Sequence, residues 1–199
     1  MKFHKPKFWD RRGHISLFAI LLLPLSIIAI IKNYYENEKI KKNFYDLKTI
    51  CVGNIYIGGT GKTPTSILLT KKLLEKGRKP TIIRKFYKSH SDEYNLIKNH
   101  SLNLITNKNR IEALKEAEKS NFDIVILDDG LQDYKIKKNL NIVCFNQNQL
   151  IGNGLVLPSG PLRENLSALK DVDIIIINGK KDQIFENKIL KINNKLDIF

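Results

Sequence analysis

The residues best suited to chemistry gather first in Gly58-Gly59-Thr60-Gly61-Lys62-Thr63, between an apolar run and a helix-like stretch. Glycines let successive backbone N–H groups curl around phosphate oxygens, and the helix N-terminus adds partial positive charge. In such a turn Lys62 reaches the β- and γ-phosphates of a nucleotide, and Thr63 ligates Mg2+. The strict spacing asks for a glycine six residues before the lysine, where this chain has Tyr56. Tyr56–Thr63 is therefore an incomplete phosphate loop, with Tyr56, Ile57, Gly58, Gly59, Thr60, Gly61, Lys62 and Thr63 as candidate nucleotide-binding residues. A glycine-rich turn that only joins a strand to a helix is the plain alternative, and the strand–turn–helix context weighs against it.

A second group closes the apolar run FDIVILDDG with two carboxylates, Asp128 and Asp129. Enzymes that transfer phosphoryl groups need a carboxylate at such a strand end to hold Mg2+ beside the loop threonine. Ligands gather at the carboxyl ends of strands in open α/β sheets, so these residues and Lys62 are expected to converge. A lone DDG is more often a turn; paired with the phosphate loop it reads as a metal site.

The elements that must position these groups alternate in type. TICVGNIYI, PTIIR, LNLIT, FDIVILDD, LNIVCF and VDIIIING read as strands, and Lys62–Lys76 and IEALKEAEK as helices. Continuous Ile/Val runs suit strands buried on both faces of a parallel sheet. The expected fold class is α/β: a P-loop NTPase-like open, mainly parallel sheet flanked by helices, with an N-terminal membrane-associated helix.

Composition narrows the function classes. The chain has 199 residues, 34 Lys+Arg against 20 Asp+Glu, a net charge of +14 and 2 Cys. Cys51 and Cys144 sit inside apolar runs and read as small buried hydrophobes, which excludes a disulfide scaffold. A hydrophobic share of 42% in recurring runs excludes a disordered chain. The positive charge admits nucleic acid, anionic lipid or a phosphorylated substrate as partner. No zinc-ligand spacing, aromatic RNA-binding strand or helix-turn-helix pattern supports nucleic acid, and no protein partner is implied.

Residues 13–31, GHISLFAILLLPLSIIAII, carry no formal charge when His14 is neutral. As a helix rising about 1.5 Å per residue this stretch approaches the hydrocarbon thickness of a bilayer. Basic residues lie on both sides: Lys2, Lys5, Lys7, Arg11 and Arg12 before it, Lys32, Lys39, Lys41 and Lys42 after it. Both flanks thus favour the cytoplasmic side. With Pro24 near its centre, the segment is expected to dip into one leaflet of anionic lipid and return.

VGNIYIGGTGKTP, LDDGLQ, GNGLVLPSGPLRE and VDIIIING, in this order, resemble the tetraacyldisaccharide 4′-kinases, inner-membrane lipid A kinases of Gram-negative bacteria. The FW…LLLPLS…YY stretch is similar to that family's membrane helix. The resemblance implies ATP and Mg2+ as cofactors and a tetraacyldisaccharide 1-phosphate as glycolipid substrate. Its implied activity is γ-phosphoryl transfer to the 4′-hydroxyl, giving lipid IVA at the cytoplasmic face of the bacterial inner membrane. It also implies residue roles. The family's GDE motif matches Ser91-Asp92-Glu93, making Asp92 the candidate base, and a family arginine matches Arg110. GPLRE contributes Arg163 near the phosphates and Glu164 near the metal. The catalytic set is then Asp92, Lys62 and Arg163, and the metal set Thr63, Asp128, Asp129 and Glu164. On residue type alone Asp92 is a solvated loop carboxylate, Arg110 and Glu164 are surface charges, and His90 and His100 are exposed loop residues.

The chain also departs from the family. An SRGYG-like stretch is shortened to RKFYKSHSDE, and a family histidine is replaced by Asp133 in Leu131-Gln132-Asp133. The resemblance implies a second α/β lobe with a histidine that pairs with the base, and no histidine follows His100 here. The expected organisation is residues 1–47 as the membrane-associated segment and 48–180 as the kinase lobe. Residues 181–199 are expected to begin a linker strand toward the missing lobe, with no helix closing the sheet. Two other readings stay open: a membrane-associated regulatory P-loop ATPase, and a catalytically impaired fragment that only binds nucleotide.

Overall fold

The structure, a computed structural model, describes residues 5–39, 45–87 and 91–199. Lys2, Lys41, Lys42 and His90 lie outside the described residues. The strands follow the order β3-β2-β4-β1-β5-β6-β7 in a parallel sheet. In chain order they are β1 (Lys48–Gly53), β2 (Pro80–Lys85), β3 (Leu104–Asn107), β4 (Ile124–Asp128), β5 (Leu140–Asn146), β6 (Ile174–Asn178) and β7 (Asp197–Ile198). The helices are α1 (Leu17–Lys39), α2 (Lys62–Glu75), α3 (Ser91–Lys98), α4 (Arg110–Lys119) and α5 (Gln183–Leu190).

The chain divides into two compact units. One comprises Lys41–Gly53 and Gly61–Cys144, and within it β4 lies between β1 and β2. Every residue of β4 is buried, as an unbroken apolar run at the centre of a parallel sheet requires. Truncating a side chain such as Ile126 or Leu127 to alanine there would cost about 3 kcal/mol. The helices read their burial from 3.6-residue spacing: Thr63, Ser66, Ile67 and Thr70 face inward on α2, and Arg110, Ala113, Leu114 and Ala117 on α4. Asn109 caps α4, its side-chain oxygen accepting the Ile111 N–H at 3.0 Å.

The other unit comprises Met1–Ile40, Asn54–Thr60 and Phe145–Phe199. The Ser16 hydroxyl accepts the Ala19 N–H at 3.2 Å where α1 begins, and the helix continues through Pro24. Its stretch Leu17–Asn37 is long and apolar enough to cross a membrane by length and composition. Leu17, Phe18 and Leu21 are largely exposed.

Near the end of the chain the structure holds a helix where the sequence-based expectation had none. Residues 183–190 form α5, capped by the Asp182 carboxylate, which accepts the Phe185 N–H at 2.9 Å. Phe185 and Ile189 on α5 are buried, and β7 pairs in parallel with β6, Ile174 opposite Asp197 and Ile175 opposite Ile198. The Phe185 ring of α5 meets Phe145 of β5 edge-on, with ring centroids 4.9 Å apart.

Candidate active site

The phosphate-binding turn leaves β1 and enters α2, and the boundary between the units falls inside it, after Thr60. Gly58 has φ of +111° and Gly61 of +88°, conformations that side chains rarely adopt, which is why glycines stand there. The first half is held by its own unit. Asn54 Nδ2 donates to the Gly58 carbonyl at 3.2 Å and to Thr60 Oγ1 at 3.0 Å. Asn178 Nδ2 donates to the Thr60 carbonyl at 2.6 Å. The Ile57 N–H donates to the Pro161 carbonyl at 2.9 Å, and the Arg163 N–H to the Ile55 carbonyl at 2.7 Å. Arg163 and the buried Glu164 thus follow a segment hydrogen-bonded to the incoming chain of the turn.

Tyr56, standing where the strict spacing wants glycine, is fully buried. Its hydroxyl donates to the Asp10 carboxylate at 2.6 Å, and Lys5 reaches both. Burial and the neighbouring Asp10 carboxylate hold the Tyr56 phenol far above its ordinary pKa.

The second half begins α2. Gly61 is its N-cap in the left-handed conformation; no side chain caps the helix, and its first turn holds no acidic residue. The first-turn N–H groups and the helix dipole therefore favour an anion at this end. Lys62 Nζ lies 3.7 Å from the Asp129 carboxylate. The Thr63 hydroxyl donates to Asp128 Oδ2 at 3.1 Å, and the Ser66 hydroxyl to Asp128 Oδ1 at 3.2 Å. Asp128 is wholly buried, and this burial pushes its carboxyl above the usual range against the opposing pull of Arg84 and Lys62.

Arg84, which the sequence reading did not single out, stands at the centre of this cluster. The β2–β4 register places it opposite Asp128. One guanidinium nitrogen donates to Thr63 Oγ1 at 2.9 Å and pairs with the Asp128 carboxylate, and the other pairs with Glu93. The RKFYKSHSDE stretch shows a basic residue at a strand's carboxyl end, but its partners Thr63 and Asp128 lie far away in the chain. Glu93 lies in the first turn of α3 beside Asp92, so Arg84 ties the candidate base's helix to the Asp128 cluster. Asp92 itself is exposed in a helical turn rather than in a loop.

Arg110 is buried rather than a surface charge. Its Nη2 donates to the carbonyls of Asp128 at 2.9 Å and Asp129 at 2.7 Å, while Nη1 pairs with Asp133. These bonds secure Asp129 in a left-handed conformation, φ +58°, that is uncommon for an aspartate. The unit thus brings Lys62, Thr63, Asp128 and Asp129 together and adds Arg84 and Arg110.

A hydroxyl and two carboxylates are hard oxygen donors of the kind Mg2+ takes, usually one or two from protein alongside phosphates and water. Among the described residues no group of three or more His, Cys, Asp or Glu side chains is arranged to hold a metal by itself. The donor set fits a metal that arrives with a nucleotide.

A parallel sheet with a glycine turn opening a helix, and a buried aspartate bonded to the following threonine, defines a P-loop nucleotide-binding protein. The fold of a signal recognition particle 54 kDa protein from Aeropyrum pernix, solved with GDP, agrees at a TM-score of 0.54, 10% identity and 96% coverage of this chain against 50% of that one. The family model for tetraacyldisaccharide-1-P 4′-kinase matches residues 15–197, and the chain belongs to that family. The tetraacyldisaccharide 4′-kinase of Pelagibacter ubique is 46% identical over 202 residues, covering 100% of this chain and 63% of that protein. The Psychromonas ingrahamii enzyme of the same name is 34% identical over 211 residues, covering 94% and 65%. LpxK from Aquifex aeolicus, solved in complex with ATP, superposes at a TM-score of 0.69 with 25% identity, covering 81% of this chain and 59% of that one. The chain thus spans slightly less than two thirds of these kinases' length.

Proposed function

We propose that the protein transfers the γ-phosphoryl group of ATP to the 4′-hydroxyl of tetraacyldisaccharide 1-phosphate, giving lipid IVA at the cytoplasmic face of the bacterial inner membrane. The observation that carries this reading is the Thr63–Asp128 hydrogen bond directly after Lys62, in a chain of this kinase family. In this reading residues 1–47 associate with anionic lipid and residues 48–180 carry the phosphoryl-transfer site.

Phosphoryl transfer asks for positioning and charge neutralisation more than for covalent chemistry. The N–H groups of Gly58–Thr63 and Lys62 hold the phosphates, and Lys62 and Arg163 offset charge on the transferring group. Thr63, Asp128, Asp129 and Glu164 are the residues to hold Mg2+, which supplies further charge neutralisation when bound. Asp92 accepts the proton of the attacking sugar hydroxyl, as kinase aspartates do. Pro64, Ile67, Leu68 and Lys71 of α2 line a groove with Leu96 of α3 and His100.

The test is reconstitution of the protein, at the length its gene encodes, with ATP, Mg2+ and tetraacyldisaccharide 1-phosphate, followed by mass analysis for lipid IVA. Lys62→Ala is expected to lower turnover about 100-fold or more. A folded, ATP-binding protein that forms no lipid IVA rejects the reading, and near-normal turnover by Asp92→Asn removes Asp92 as the base.

A further inference from the structure

The apolar helix α1 carries a stripe that no anchor needs. Ala19, Ser26 and Asn33 recur every seven residues, which places them on one face of a helix. Ala19 and Ser26 are buried, while Leu17, Phe18, Leu21 and Ile28 are exposed. The Ser26 hydroxyl donates to the Val156 carbonyl at 2.8 Å, accepts the Ser159 N–H at 3.1 Å and lies 2.8 Å from the Ser159 hydroxyl. Two turns on, Asn33 Nδ2 donates to the Arg163 carbonyl at 3.0 Å.

The segment so held is the one hydrogen-bonded to the phosphate-binding turn. Pro161 accepts from Ile57, and Arg163 donates to Ile55, on either side of Tyr56. Tyr56 is tied in turn to Asp10, ahead of α1. The chain therefore runs from α1 through Val156–Arg163 to the turn by short hydrogen bonds inside one compact unit.

We infer that α1 braces the phosphate-binding turn as well as offering an apolar surface to lipid, with Ser26 and Asn33 as positioning residues for nucleotide binding. This rests on the reading of Tyr56–Thr63 as the ATP-binding turn. The two roles of α1 have opposite chemical requirements. A segment that only enters a bilayer is improved by replacing serine and asparagine with aliphatic side chains. A brace is damaged by the same change, because the Ser159 N–H and the Val156 and Arg163 carbonyls lose their partners.

The decisive variants are Ser26→Ala and Asn33→Leu in the protein at the length its gene encodes. Each is read for equilibrium binding of radiolabelled ATP, thermal midpoint, and flotation with phosphatidylethanolamine–phosphatidylglycerol vesicles. The expected result is an ATP Kd raised about five-fold or more in each, the weight of at least one net hydrogen bond, with flotation unchanged or increased. Asn33→Gln, which keeps the amide, returns the Kd toward that of the parent. Leu17→Ala, on the exposed face, weakens flotation and leaves the ATP Kd unchanged. An unaltered ATP Kd in both Ser26→Ala and Asn33→Leu overturns the inference. So does a loss that follows the thermal midpoint and is not restored by Asn33→Gln. Because ATP binding is measured without a lipid acceptor, failure to make lipid IVA counts against the kinase reading alone.

Discussion

The Arg84 guanidinium donates to the Thr63 hydroxyl at 2.9 Å, while that hydroxyl donates onward to the Asp128 carboxylate at 3.1 Å. A protein cation thus rests on two oxygens that the proposed function assigns to Mg2+. Nothing in the local sequence around any of the three residues states this. It follows from strand order, which sets β2 beside β4 and Arg84 in register with Asp128.

Removing that cation leaves Asp128 buried and without its ion pair. Arg84→Met is expected to destabilise the protein by about 3 kcal/mol, the usual cost of breaking one side of a buried pair. Asp128→Asn added to Arg84→Met should recover much of the loss, because the uncompensated charge goes with it. Urea unfolding of the two single variants and the double variant measures this coupling. A cost below about 1 kcal/mol for Arg84→Met would show that Asp128 does not depend on Arg84.

Arg110 and Asp133 present a milder case. Arg110→Leu withdraws two donors from the carbonyls at Asp128 and Asp129 and should cost about 2 kcal/mol. Asp133 is a third exposed, so Asp133→Ala should cost no more than about 1 kcal/mol. Equal losses in the two variants would place the stabilisation in the ion pair and not in the carbonyl contacts.

The cysteines give a prediction in pH. Burial pushes both thiols up from 9.0 to about 11, Cys51 fully enclosed and Cys144 within 3.6 Å of the Thr65 hydroxyl. Between those values the native state keeps protons that the unfolded chain has released. Stability therefore falls as pH rises through that window, by on the order of 2 kcal/mol for each thiol near pH 11. Unfolding of the Cys51→Ala, Cys144→Ala double variant should lose that part of the pH dependence. At pH 8 both native thiols should resist iodoacetamide and react once the chain is denatured.

Much of this was legible in the sequence because it is local. GGTGKT announces its turn by composition, and the unbroken Ile/Val run ahead of Asp128 announces a central strand. Both cysteines declare their burial by their neighbours. Arg84 was not legible, since its partners lie 21 and 44 positions away and only the sheet brings them together. Asp92 was legible as a motif position, yet its helix is tied to the cluster through the adjacent Glu93. The helix α5 was missed although Asp182 supplies a capping carboxylate three residues before Phe185. Eight residues with only Phe185, Glu186 and Ile189 buried give a weak periodic signal, and the two-residue β7 gives none. Tyr56 read as a defect in a motif, whereas its hydroxyl is a fastening point for the N-terminal segment.

The bare N-terminus of α2 reaches beyond catalysis. With Gly61 in place of a capping side chain and no carboxylate in the first turn, that helix end is suited to an anion from outside the chain. A ligand bound only by the native state raises its unfolding free energy by about 2.7 kcal/mol at a hundred times its Kd. In the proposed function ATP then adds to the stability of the fold. The proposed ATP site thus predicts that adding ATP slows proteolysis of the native protein.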